Sequence, residues 1–456
     1  MMESARKQRG MTMERRIATR PAKRISAEEA ASLVTSGMWV DYGAVLCQPD
    51  VFDVALAKRA KELHRVGIRN CVSARARAVL DADPEGKHFG WFSLHFSGYD
   101  RRKHDEGISH YLPSNLGEIP DYYRRFIPPV DIMVIKTRPV DADGNFNMGL
   151  GNLWHRAVLE RAKCVIIEEC AAVPLAHGDA NTIHISEVDY IIAGDDQPLP
   201  ELPSAAPTDV DRAVARLVMA EVEDGSCLQI GIGGMPNAVC KLLAESGIRD
   251  MGVHTEMLTD GIIDLYLRGR VNGSRKTLDP NKVTYSFALG SKILYDTVDG
   301  NRDFHCCAVD YTNPPHIIMQ NDRVVAINNT TQIDLQGQAA SESDGHRHIS
   351  GTGGQAQFVR GAYASSGGKS FICLASTYDK KGERRSRIVL ELTKGNIVTT
   401  TRSDMMYVVT EYGMVNLKGK SVAERALALI SIAHPDFREG LERQAREHRL
   451  IPKGFY

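Results

Sequence analysis

The chain has 456 residues, 43% of them hydrophobic and 25% charged, with a formal net charge of −1. That length implies two or three domains, each long enough to bury its own core. The balanced charge offers no basic field for nucleic acid or an anionic membrane, and no apolar run reaches transmembrane length.

Residues 1–25, MMESARKQRGMTMERRIATRPAKRI, are basic and lack an apolar h-region, which argues against a secretory signal. They read as a disordered basic leader, with a mitochondrial transit peptide as the alternative. Ser26 and Glu29 form a capping-box pattern that opens a helix with Ala30, Leu33 and Val34 on one face. Gly37 ends it. Met38 to Tyr42 reads as a strand, followed by Gly43, a loop, and Pro49 leading into a helix through Val51, Val54 and Leu56. Ile132 to Ile135 and Cys164 to Ile167 are continuous apolar runs of the kind found in buried parallel strands. Asp141 to Asn145 imitates a calcium loop, but Phe146 and Asn152 occupy the positions that need Gly and Glu, so it reads as a turn.

The run QPLPELPSAAPT carries Pro198, Pro200, Pro203 and Pro207 and predicts a stiff linker over 198–207. It separates an N-terminal domain, 26–197, from a C-terminal one, 208–456. Thr208 and Asp211 then open an amphipathic helix reaching Val222.

The densest pattern runs from Leu228 to Asp264. It reads as a strand, a turn at Gly231, Gly233 and Gly234, a helix with Pro236 in its first turn, a second strand through Val253, and then Glu256. Backbone N–H groups of such a turn can approach an anion, and ligands bind at this edge of an open α/β sheet. A plain turn and a solvated Glu are the alternative reading.

Landmarks of this stretch echo the first half. Gly37 to Gly225 is 188 positions (225 − 37), Gly43 to Gly231 is 188 (231 − 43), and Pro49 to Pro236 is 187 (236 − 49). Gly67-Ile68-Arg69-Asn70 echoes Gly247-Ile248-Arg249-Asp250 at 180 (247 − 67), which sets Ala76 opposite Glu256. Two related α/β halves are expected, with the carboxylate in the second alone.

Val324 to Ile327 and Phe371 to Leu374 read as buried strands. Between them, His348 to Gly361 reads as a second flexible glycine loop, with N–H donors suited to an oxyanion hole. His346 and His348 have no third ligand at a standard spacing, so no metal site is expected. The nine cysteines show no CxxC spacing and read as reduced, buried thiols of a cytoplasmic protein. Arg425 to Ile432 reads as a helix.

GIGGMPNAV, HTEMLTDGIIDLY, VDYTNPP, QIDLQGQ, ISGTGGQAQFVRGA and TEYGMVNLKGKS together resemble the acetyl-CoA hydrolase/transferase family. Within it they are most like the 4-hydroxybutyrate and butyryl-CoA:acetate CoA-transferases. The resemblance implies two open α/β domains of the NagB/RpiA type with the active site in the interdomain cleft. It implies Glu256 as a nucleophile that forms a glutamyl-CoA thioester. Gly231, Ile232, Gly233, Gly234 and Met235 would bind CoA, Gly353 and Gly354 would lie by the thioester, and Ser376 would be a further CoA contact. CoA is then a substrate, with no permanently bound cofactor and no metal, and a homodimer or larger assembly is expected. Gln357 stands where relatives typically carry Asp, so 4-hydroxybutyrate is not carried over as the substrate. Two other activities compete. One is hydrolysis of acyl-CoA through the same thioester. The other is a nicotinamide-dependent oxidoreductase, weakened because Pro236 takes the third-glycine place of the dinucleotide fingerprint.

Overall fold

The computed structural model describes residues 16–202 and 206–454. The chain divides into two compact units. One runs up to Leu202 and takes in Thr284–Thr312; the other takes the described residues from 206 to Val283 and from Asn313 onward. The sequence reading kept 208–456 together, so the grouping of Thr284–Thr312 with the first unit departs from it.

The first unit is built on eight strands: β1 (Lys23–Arg24), β2 (Trp39–Ala44), β3 (Val66–Cys71), β4 (Phe89–Ser93), β5 (Ser109–Tyr111), β6 (Ile132–Thr137), β7 (Cys164–Glu169) and β8 (Tyr190–Ala193). Their order is β1-β8-β7-β6-β2-β3-β4-β5, and every pairing is parallel. Every residue of β6 is buried, which is why it reads as an unbroken apolar run rather than an alternation. Helix α1 (Ala27–Ser32) starts at a capping box in which the Glu29 N–H donates to Ser26 Oγ at 3.0 Å. It and α2 (Val51–Ala57) lay Ala30, Phe52 and Leu56 onto Val40, Ile68, Trp91 and Val134 of the sheet.

The second unit has β9 (Cys227–Ile230), β10 (Gly252–His254), β11 (Val324–Asn329), β12 (Lys369–Cys373), β13 (Tyr407–Thr410) and β14 (Gly413–Asn416). Among these the order is β10-β9-β11-β12-β13-β14, parallel except for the closing β13–β14 hairpin. Its helices include α3 (Asp209–Met219), α4 (Gly234–Glu245), α5 (Gln355–Ala364), α6 (Val422–Ser431) and α7 (Pro435–Glu447). Helix α3 opens on the expected Thr208–Asp211 capping box. Ile333, Ile372, Val408, Leu429 and Leu441 form one core beneath the C-terminal helices.

The two sheets share a plan. In each, a first strand (β2 or β9) has its sequence successor on one side and a much later strand (β6 or β11) on the other. The chain therefore leaves the carboxyl ends of those central pairs in opposite directions, which opens a crevice. The register corrects one expectation. Trp39 pairs with Gly67, and Cys227 pairs with Gly252. The strand starts differ by 188 (227 − 39), as the glycines do, but their neighbours differ by 185 (252 − 67). Cys71, not Ala76, therefore corresponds to Glu256 (256 − 185). The Gly-Ile-Arg echo misled because Gly67 lies inside β3 whereas Gly247 lies in the loop before β10.

Three further expectations change. The leader ends earlier than residue 25: β1 pairs with β8, and Arg16 Nε donates to Ala162 O at 3.1 Å. Residues 1–15 lie outside the described residues. The start of the proline run is not a free spacer but is fastened to the first unit, with Tyr295 OH donating to Pro200 O at 2.6 Å and Leu202 N to Gly290 O at 3.0 Å. Residues 203–205 lie outside the described residues. Finally, the stretch His348 to Gly361 is loop only as far as Gly354, after which α5 begins. The Asp141 segment is the expected turn, its Oδ1 accepting from the N–H groups of Asp143 and Asn145 at 3.0 and 2.8 Å. Among the described residues, no helix is long and apolar enough to cross a membrane.

Candidate active site

Every sequence-predicted site residue of the second unit lies at or beyond the carboxyl edge of its parallel strands. After β9 the chain turns through Gly231 to Gly233 into α4. Gly231 N donates to Ile327 O of β11 at 3.2 Å, and Asn329 Nδ2 at the end of β11 donates to Ile232 O at 3.4 Å. Gly233 caps α4 with φ +118°, a conformation that L side chains rarely adopt. A Cβ on Gly234 would press on the Asp211 carboxylate, so that glycine lets α4 start against α3. Met235 and Pro236 are buried in the first turn, while Ile232 is 51% exposed. The turn therefore offers backbone and one open apolar side chain to whatever binds there.

Strand β10 delivers Glu256 two residues past its end. The residue is half-buried, but its carboxyl reaches inward, where burial pushes its pKa up to about 7 against the opposing hydrogen bond from Asn313. Asn313 Nδ2 donates to Glu256 Oε2 at 2.5 Å. On another side stands Gly354, the residue that caps α5; a Cβ there would collide with Glu256 Oε2 and with the Asn313 amide. The carboxyl is thus seated at the N-terminus of a ten-residue helix, whose free N–H groups favour negative charge.

The second glycine loop is anchored rather than flexible. The buried Glu342 carboxylate accepts from Thr352 Oγ1 at 3.0 Å and Thr399 Oγ1 at 2.9 Å, and Ile349 N donates to Glu342 O at 2.9 Å. Gln355 Nε2 donates to Ser341 Oγ and Thr400 Oγ1, both at 3.0 Å. Gly353 adopts φ +58°. Donors on a loop held this way need little reorganisation when charge appears beside them. Gln357 is buried in the first turn of α5, three positions from Gly354.

Ser376 has a different setting. It is fully buried beyond β12, its N–H and hydroxyl donating to the two Glu411 oxygens at 2.9 and 2.5 Å. Those two hydrogen bonds fasten the loop after β12 to Glu411. The structure thus brings Glu256 and Gly354 together and adds Asn313, which the sequence reading did not single out. Asn313 sits in VDYTNPP ahead of Pro314 and Pro315, where the fixed φ of Pro314 sets the entry into the short helix Pro315–Ile318. An amide pinned in front of two prolines was the signal that could have drawn attention to it.

A carboxyl of raised pKa beside a helix N-terminus, on a parallel sheet with an open glycine turn, suits an α/β enzyme that transfers groups through a carboxylate. Two descriptions of known families match the chain. The acetyl-CoA hydrolase/transferase N-terminal domain covers residues 7–203, and the C-terminal domain covers residues 290–445. The chain is 44% identical to the butyryl-CoA:acetate CoA-transferase of Anaerostipes caccae over 428 residues, 93% of this chain and 96% of that one. It is 38% identical to the 4-hydroxybutyrate coenzyme A transferase of Clostridium kluyveri over 419 residues, 92% and 96% of the two chains. The crystal structure of RipA from Yersinia pestis superposes with a TM-score of 0.85 at 36% identity, covering 94% of this chain and 98% of that one. An acetyl-CoA hydrolase of Candida albicans aligns over only 47% of this chain, at 30% identity. The chain belongs to the acetyl-CoA hydrolase/transferase family, and the enzyme is a CoA-transferase.

Proposed function

We propose that the enzyme moves CoA from an acyl-CoA to a free short-chain carboxylate by a ping-pong mechanism through a thioester on Glu256. The observation that carries this reading is the seat of the Glu256 carboxyl, between Asn313 Nδ2 and the Gly354 cap of α5. A Glu256 oxygen attacks the acyl-CoA carbonyl, the carbon–sulfur bond breaks, and CoA leaves as thiolate. The mixed anhydride that remains is attacked by the thiolate at the Glu256 carbonyl, freeing the first acid and leaving glutamyl-CoA. The incoming carboxylate then runs the same steps in reverse.

Each tetrahedral intermediate carries an oxyanion, and the N–H groups about Gly353 and Gly354 are the donors proposed for it. Asn313 would hold the carboxylate in position before attack. Gly231 to Met235 would receive the CoA tail, whose binding energy can be used at the reacting carbon. Ser376, held by Glu411, would be a further CoA contact. The acid substrates are drawn from acetate, butyrate, 4-hydroxybutyrate, succinate and itaconate; the names of the relatives include the first four, and the buried Gln357 in the first turn of α5 is a candidate determinant. CoA is a substrate, not a resident cofactor. A cytoplasmic homo-oligomer is the setting we infer, in keeping with unbridged thiols and with the commonness of symmetric assemblies.

Isotope exchange tests the mechanism. With butyryl-CoA and labelled butyrate as the only substrates, label should enter butyryl-CoA, and initial-rate plots with acetate should be parallel. Intersecting plots with no exchange would contradict a covalent intermediate. Varying donor and acceptor acids in the same assay ranks the substrates.

A further inference from the structure

Away from Glu256, in the first unit, Asp179, His305 and Cys307 bring their ligand atoms within 4.8 Å of one another. Cys307 Sγ lies 3.6 Å from His305 Nδ1, and His305 Nε2 lies 3.5 Å from Asp179 Oδ1. We propose that these three side chains form a binding site for a divalent transition-metal ion of the zinc type.

The backbone holds the three in place. His305 and Cys307 are two apart along the short strand Phe304–Cys306 and its exit, so both side chains leave on the same face. The loop bearing Asp179 packs its backbone directly onto that strand. Cys306 N donates to His177 O at 2.8 Å, and a Cβ on Gly178 would collide with the Cys306 backbone, so only glycine permits the approach. Asn152 Nδ2 ties the two segments together, donating to Asp179 O at 2.8 Å and to Cys306 O at 3.2 Å. Cys307 N donates to Tyr285 O at 2.7 Å.

The donor set fits the ion. A thiolate and a carboxylate bring two negative charges to a divalent cation, and Cys, His and Asp are the ordinary ligand types of zinc. Tetrahedral zinc places neighbouring ligand atoms roughly 3.3–3.6 Å apart. Cys307 and Asp179 meet opposite ring nitrogens of His305, of which one would ligate; the one-atom-per-residue set lies within 4.8 Å and needs to close by about an ångström onto the ion. The same residues in line also resemble a Cys–His–Asp nucleophile, but the Cys307 residue is 0% exposed and out of reach of an acyl group. A bare cation can enter past Asp179, whose side chain is 54% exposed, leaving a water on that side as the fourth ligand. Sequence spacing hid the cluster because its members are 126 residues apart (305 − 179).

The test uses the full-length protein, stripped with a chelator and titrated with Co²⁺. The site predicts one equivalent bound with tetrahedral visible bands and a thiolate-to-cobalt charge-transfer band, all displaced by Zn²⁺. Cys307→Ser should abolish the charge-transfer band, and Cys306→Ser should keep it. Asp179→Asn, at an exposed position that does not threaten folding, should weaken Co²⁺ binding roughly tenfold or more. Absence of the bands in the wild type, or bands unchanged in Cys307→Ser or Asp179→Asn, would overturn the site.

Discussion

The crevice beside β2 in the first unit is filled from within, whereas the corresponding turn after β9 in the second is left open. Gly43, in the irregular last part of β2, has φ +64°, and a Cβ there would lie 2.5 Å from His155 Nε2. That ring is fully buried, accepts from Ala44 N at 3.1 Å and donates through Nδ1 to Gly151 O at 2.9 Å. Burial pulls its pKa down to about 4, so it is the neutral form that plugs this stretch. At the matching Gly231, a Cβ would meet only Ile327 O, at 3.7 Å. The carboxylates differ in the same way. Burial would raise the pKa of Asp50, at the start of α2, but Lys136, Arg77 and Arg75 gather on it and hold it below the usual carboxylate range. Glu256 has the neutral Asn313 amide instead and is pushed up to about 7. One frame thus supports two sites: a neutralised, filled one that stabilises, and an open one whose carboxylate is costly to charge, in keeping with the role proposed for Glu256.

The most severe break of this comparison is Glu256→Ala. CoA transfer should fall roughly 10³-fold or more, the scale of losing a nucleophile. Stability responds in the opposite sense. The folded-state pKa of Glu256 lies above the unfolded value, so its favourable contribution is complete below about pH 4.5 and is lost as pH rises through about 7. Glu256→Gln should therefore melt at or above the wild-type temperature at pH 8, as calorimetry can show.

Next in size is Gly354→Ala, which drives a methyl group into the Glu256 carboxyl. A loss of about 10²-fold in kcat/KM is expected, with an unchanged circular dichroism spectrum. Paired alanine substitutions then probe the plugged stretch and the open turn. Gly43→Ala should cost about 2–3 kcal/mol from positive φ and collision with His155, while Gly231→Ala should change stability by less than about 0.5 kcal/mol and act on the KM for acyl-CoA. Equal melting temperatures for the two would remove the contrast. The smallest effect is a shift in pH profile. Transfer needs the carboxylate, so kcat/KM should rise with pH to a midpoint near 7, and Asn313→Ala should move that midpoint higher, because it removes the hydrogen bond that opposes burial.

Much of this could be read from residues alone. Strand, glycine turn, helix and strand from Cys227 to His254 follow from apolar runs, φ-permissive glycines and helical spacing, all local signals. The 188-residue echo reflected a real equivalence of β2 and β9: Gly37 and Gly225, just ahead of the two strands, take like conformations at φ +83° and +77°, although Gly43 has positive φ and Gly231 does not. What escaped was set by tertiary contacts. Thr284–Thr312 joins the first unit although no composition shift marks it. Helix α5 begins directly after Gly354, where its glycines and polar side chains suggested continued loop. Helix α7 starts at His434, an N-cap type that the usual Ser, Thr, Asp and Asn signals do not cover. Asn313 was invisible as a partner of Glu256 because 57 residues separate them.

The most direct measurement is to incubate the enzyme with acyl-CoA alone, reduce with borohydride and map the modified peptide by mass spectrometry. The account predicts a reduced side chain at Glu256 and none in the Glu256→Ala variant. An unmodified Glu256 peptide, or a label on another residue, would contradict it.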